Sequence, residues 1–141
     1  MNSRATQLQP AVDQAKQRSE DALSRLGAQQ QLLARAEHQL SELHRYRDEY
    51  ASGSDAMPSV SAMLNRQSFV QRIDQAIVQQ TAEIARHQRQ LEQVREHWKH
   101  KHARECALGS VVAQHLERER RADERHEQAE VDERFQRRRL P

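Results

Sequence analysis

A chain of 141 residues that is 35% hydrophobic, 4% aromatic and 31% charged cannot fill a rounded core, which takes about 45–50% apolar residues. Its 23 Lys and Arg nearly cancel its 21 Asp and Glu, leaving +2, with both signs mixed along the chain as on a solvated helix face and unlike a nucleic-acid footprint. The single Cys106 excludes an internal disulfide and suits a reducing compartment. No apolar run approaches the roughly 18 residues of a membrane span, and the start, Met1-Asn2-Ser3-Arg4-Ala5-Thr6-Gln7, lacks a signal peptide's apolar stretch, so the chain is expected in the cytosol.

The bulk of the sequence is Ala, Gln, Glu, Arg and Leu, all strong helix formers, with three Gly and three Pro to interrupt them. An all-α protein of long helices follows. The first helix is expected over about residues 7–52, with Thr6 as its N-cap and Pro10 in the first turn, where a missing N–H costs little. Its apolar residues recur in alternating steps of four and three: Leu8, Val12, Ala15, Ser19, Ala22, Leu26, Gln29, Leu33, Ala36, Leu40, Leu43, Arg47 and Tyr50. Ten of these thirteen are apolar or aromatic, which is the seam of a coiled coil. The helix should end near Ser52, leaving Gly53 free for a left-handed cap.

Residues 53–60 form the expected turn, built on the cluster Ser52-Gly53-Ser54-Asp55-Ala56-Met57-Pro58-Ser59. Pro58 disfavours helix at the residue before it. A second helix over about 61–138 carries its own seam: Val70, Ile73, Ile77, Gln80, Ile84, His87, Leu91, Val94, Trp98, Lys101, Glu105, Leu108 and Val112. Beyond Val112 the same register meets His115, Glu119, Ala122, His126, Ala129 and Glu133, and the apolar stripe dies.

The two seams match in length if the chain folds back at the turn, with Leu8 opposite roughly Leu108 to Val112. The expected fold is therefore a long antiparallel two-helix coiled coil, an α-hairpin, as one domain spanning 1–141. Parallel self-dimerisation through the same stripes is the competing arrangement. Residues beyond about 116 would overhang as an unpartnered helix, supported by i,i+4 ion pairs worth about 0.2–0.5 kcal/mol each and prone to order on binding.

Catalysis finds little support. A hairpin of two helices offers no deep pocket in which carboxylates can be tuned, and the sequence has no glycine-rich phosphate loop or nucleophile motif. His97, His100 and His102 lie close together without the Cys or carboxylates that would complete a tetrahedral metal set, so neither metal nor cofactor is expected. His87, at a seam position, reads as a polar register device, and Trp98 as a large packing knob. Gly27 and Gly109 each cost about 1 kcal/mol in a helix. Tyr46, Tyr50 and Phe69 flank the turn on both sides, and Phe69, Ile73, Ala76 and Gln80 form one stripe on the returning helix. A two-helix layer cannot bury all of these groups, and exposed aromatics are typical binding anchors.

Several ordered segments carry a family likeness: Leu8-Gln9-Pro10-Ala11-Val12, Tyr46-Arg47-Asp48-Glu49-Tyr50, Phe69-Val70-Gln71-Arg72-Ile73-Asp74-Gln75-Ala76-Ile77, Trp98, and the tail Asp132-Glu133-Arg134-Phe135-Gln136-Arg137-Arg138. Over nearly its whole length the chain resembles FliJ, the coiled-coil component of the bacterial flagellar type III export apparatus. The resemblance implies a non-enzymatic stalk in the ring of the export ATPase FliI. It also implies binding to the cytoplasmic domain of the export gate protein FlhA, escort of export chaperones, and a place at the cytoplasmic face of the inner membrane. Carried over from the family, the gate-binding surface falls on Gln39, Leu43, Tyr46, Tyr50, Phe69, Ile73, Ala76 and Gln80, the last standing where relatives often have His. The ATPase-facing surface falls on the two helical termini, here Leu8, Val12, Arg121, Arg125 and Phe135. A generic cytosolic scaffold or tether is the alternative reading, and a nucleic-acid binder using Arg137, Arg138 and Arg139 a remoter one.

Overall fold

The computed structural model describes residues 3–53 and 59–139. Two α-helices account for nearly all of them: α1, Arg4–Ala51, of 48 residues, and α2, Val60–Arg139, of 80. Among the described residues there is no strand. Most of the expected turn, Ser54 to Pro58, lies outside the described residues.

Each helix begins on a serine. The Ser3 hydroxyl accepts the Thr6 N–H at 3.0 Å, so Ser3, and not Thr6, caps α1. Thr6 is drawn into the helix and its hydroxyl bonds that of Ser3 at 2.8 Å. The earlier start moves Pro10 out of the first turn. Pro10 has no N–H for the Thr6 carbonyl, and both residues are exposed, so water can serve that carbonyl. Ser59 caps α2 in the same way, accepting the Ala62 N–H at 3.1 Å. α1 ends as expected, one residue before Ser52, but its cap differs. Gly53 does not take a left-handed conformation. Ser52 closes the helix instead, its hydroxyl donating to the Asp48 carbonyl at 2.6 Å, while the Gly53 carbonyl accepts Arg66 Nη1 at 3.2 Å.

The chain divides into two compact units, Ala22–His97 and Met1–Asp21 with Trp98–Pro141. In Ala22–His97, Ala22, Leu26 and Ala36 of α1 are buried with Ile73 and Ile84 of α2. The remaining expected seam positions of this unit are half-buried, except Tyr50, which is exposed. Gln29 meets His87, Ala36 and Gln39 meet Gln80, Arg47 meets Asp74, and Tyr50 meets Phe69. Every step forward on α1 is matched by a step back on α2, which is antiparallel pairing. The polar layer is satisfied: Gln29 Nε2 faces His87 Nδ1 at 3.2 Å and donates to the His87 carbonyl at 3.3 Å. Polar residues placed so cost stability and fix register.

In Met1–Asp21 with Trp98–Pro141, Ala5, Ala15 and Ser19 are buried, and Leu8 and Val12 are half-buried. On α2, Trp98, Lys101, Glu105, Leu108 and Val112 are half-buried, and the stripe runs two steps further through His115 and Glu119. From residue 120 to 139 every residue is exposed. The fold is an antiparallel two-helix coiled coil with a C-terminal helical overhang.

Candidate functional site

The residues expected at the gate-binding surface fall in the unit Ala22–His97, and the structure sorts them into two kinds. Tyr46, Tyr50 and Phe69 are exposed, each keeping over two-fifths of its surface. The Tyr50 and Phe69 rings meet across the helices at 4.5 Å between centroids, tilted by 48°, a favoured aromatic geometry. Arg45 lies over the Tyr46 ring at 5.3 Å and is bound to Glu42 at 2.7 Å. The Glu42 carboxylate holds the Arg45 guanidinium even more firmly protonated than usual, with Glu49 and Tyr46 adding to the effect. Arg47 reaches over to pair with Asp74, and that hydrogen bond raises its pKa in turn. These contacts pin the aromatic cluster without covering it.

The other members support from beneath. Ile73 is buried at 7% exposure, and Leu43 and Ala76 are half-buried. Gln80 Nε2 donates to the Ala36 carbonyl at 2.9 Å and to Gln39 Oε1 at 3.0 Å. Gln80 thus ties α2 to α1, and Gln39 is the exposed half of that pair.

A second apolar surface in this unit escaped the sequence reading. Val60, Met63 and Leu64 are more than half exposed and line a shallow groove with Ala51, Gln67, Val70 and Gln71. At about 100° per residue, Val60, Met63, Leu64 and Gln67 share one face of α2, and Phe69, Ile73, Ala76 and Gln80 share the opposite face. The signal was present: an i, i+3, i+4 apolar triplet outside the seam, in a stretch from Ala56 to Gln71 whose one charge is Arg66.

The residues expected to face the ATPase fall in the unit Met1–Asp21 with Trp98–Pro141. Leu8 and Val12 are half-buried in the seam, while Arg121 and Arg125 are exposed. Phe135 keeps 59% of its surface, under the guanidinium of Arg139 at 5.2 Å. Arg120 bridges Glu117 at 2.7 Å and Glu124 at 2.5 Å, and Arg121 reaches Glu117 at 3.1 Å. Hydrogen bonding from Arg120 holds the Glu117 carboxyl below its usual pKa, and the Arg121 hydrogen bond adds to this. Arg125 donates to the Arg121 carbonyl at 3.4 Å. The basic last turn, Arg137, Arg138 and Arg139, complements the helix dipole.

Among the described residues no group of three or more His, Cys, Asp or Glu is placed to hold a metal ion, and no helix is long and apolar enough to cross a membrane. The arrangement offers surfaces for other proteins. A family model described as flagellar FliJ protein matches residues 3–140. The chain belongs to the FliJ family. The comparison with curated proteins returned no match. Membership of the FliJ family makes this chain a component of the flagellar protein export apparatus, in a family that is not enzymatic.

Proposed function

We propose that this FliJ-family chain is the stalk of the flagellar export ATPase ring and links that ring to the export gate. The observation that carries the reading is the overhang. Residues 120–139 stay helical with every residue exposed, and a helix with no partner of its own is suited to a socket in another protein. Arg120 pairs with Glu124 and Arg137 with Glu133 along the helix, and Phe135 is exposed as an apolar anchor of the kind that dominates interfaces. Tyr46, Tyr50 and Phe69, braced by Arg47–Asp74 and Gln80–Gln39, supply a preformed patch for the cytoplasmic domain of FlhA, with Leu43, Ile73 and Ala76 as its support. Leu8 and Val12 complete the ATPase-facing end by holding α1 against α2. Escort of empty export chaperones and peripheral placement at the cytoplasmic face of the inner membrane, through the export apparatus, belong to the same reading.

The test mixes the full chain with purified FliI and follows ATP hydrolysis and ring formation by electron microscopy. Stimulated hydrolysis with filled six-fold rings is the expected result, lost in a chain ending at residue 119. Unchanged hydrolysis and empty rings with the full chain would end the stalk reading.

A further inference from the structure

The exposed end of α2 sorts its charges by position. Residues 126–133 carry Glu127, Glu130, Asp132 and Glu133 with no Lys or Arg, and residues 134–139 carry Arg134, Arg137, Arg138 and Arg139 with no Asp or Glu. Val131 and Phe135 straddle the boundary between the two blocks, one turn apart, and keep 52% and 59% of their surface.

At about 100° per residue, Val131 and Phe135 stand side by side, flanked by Glu127 and Arg134 on one edge and by Asp132 and Arg139 on the other. The pairs already made inside the chain lie round the helix from this face: Arg137 binds Glu133 at 3.3 Å, and His126 meets Glu130 at 3.2 Å. The flanking charges take part in no ion pair among the described residues. Asp132 accepts Gln128 Nε2 at 3.2 Å, and Arg139 lies over the Phe135 ring. The face thus presents an apolar pair between uncommitted acids on its N-terminal side and uncommitted arginines on its C-terminal side.

We propose that this face takes a second copy of the chain, the two overhangs lying antiparallel about a two-fold axis level with Glu133. Val131 of each copy then meets Phe135 of the other, a self-complementary contact in which each side repeats the other. The acidic block of each lies along the basic block of the other, because the charge boundary falls at the centre of the apolar pair. The same charges set the direction. In a parallel pair, acid would lie on acid and arginine on arginine, and like charges so placed repel. The overlap, residues 127–139, is about 20 Å long at about 1.5 Å per residue. Such a contact belongs to the weak class that buries less than about 1,200 Å², so the copies separate on dilution. Pairing needs no component other than this chain and holds whether or not the overhang enters an ATPase ring.

Sedimentation equilibrium of the full chain measures the association, under reducing conditions that keep Cys106 from linking two copies. A monomer–dimer equilibrium is expected, weakened by salt because its ion pairs are exposed, and weakened by Phe135→Ala. Arg134→Glu with Arg139→Glu makes both edges of the face acidic, and Glu127→Arg with Asp132→Arg makes both basic. Each of these variants alone should associate about tenfold or more weakly than the native chain, since like charges then face each other. An equal mixture of the two should associate again, as a pair of unlike chains. Circular dichroism checks that every variant stays helical. A native chain that remains monomeric at the highest soluble concentration would overturn the proposal and leave the face to another protein. So would association that neither charge reversal weakens, or a mixture that associates no better than the separate variants.

Discussion

Ile73 and Tyr46 share one neighbourhood in the unit Ala22–His97, and truncating each to alanine separates packing from docking. Ile73 retains 7% of its surface and Tyr46 retains 44%. Ile73→Ala removes three carbons, about 2.4 kcal/mol at roughly 0.8 kcal/mol per buried methylene. Any cavity adds to this, but a seam between two helices can close over a gap more easily than a deep core. The expected cost is about 2–3 kcal/mol, the lower part of the range for such truncations. For a chain of this size that is a fall of about 6–10 °C in Tm. Tyr46→Ala leaves the seam intact and should cost less than about 1 kcal/mol. Thermal melts followed by circular dichroism give the first comparison, and titration calorimetry against the FlhA cytoplasmic domain gives the second. Tyr46→Ala should lose binding at nearly unchanged Tm, and Ile73→Ala should lose Tm and lose binding only where it unfolds. An unchanged Tm with lost binding in Ile73→Ala would refute the division into supporting and contacting residues. So would a Tm in Tyr46→Ala as low as that of Ile73→Ala.

Three other substitutions test the seam and the overhang. Ala22 is 1% exposed, so Ala22→Leu should force the helices apart and cost about 1–3 kcal/mol, read as a lower urea midpoint. Gly27 lies within α1 with open space at its Cβ position. Gly27→Ala should raise the midpoint by about 0.5–1 kcal/mol in stability, because alanine loses less chain entropy in a helix. Glu117 has its pKa lowered chiefly by Arg120, so its contribution is present above the ordinary glutamate pKa of about 4.3. That contribution is lost as pH falls through the lower, folded-state value. Ellipticity at 222 nm should therefore drop on acidification less steeply in Glu117→Gln than in the native chain, and identical curves would exclude the Arg120–Glu117–Arg121 cluster as a support of the helix.

The parts of the fold readable in advance were those set by one repeating physical demand. A seam needs small or apolar groups every three or four residues, and Ala15, Ser19, Ala22, Ala36, Ile73 and Ile84, all assigned to it from spacing, are buried. Ala5 was missed because the first leucine, Leu8, marks the start of the stripe while a buried alanine carries little signal of its own. His115 and Glu119 were placed beyond the stripe by their polarity, yet both are half-buried. Helix ends depend on single hydrogen bonds, so the choice of Ser3 over Thr6 and of Ser52 over Gly53 was not available to periodicity. At the candidate site, aromatic spacing pointed to Tyr46, Tyr50 and Phe69. It could not tell that Gln80 spends its amide on Ala36 and Gln39. Nor did it find Val60, Met63 and Leu64, whose repeat lies off the seam.

Among the described residues no large side chain is fully enclosed, and many of the buried positions are alanines. Each seam layer touches only the layers before and after it, so opening one layer disturbs little beyond its neighbours. Such a chain should loosen by degrees, as stacked repeats do. Amide hydrogen exchange in the native state would then rise smoothly away from the well-buried layers.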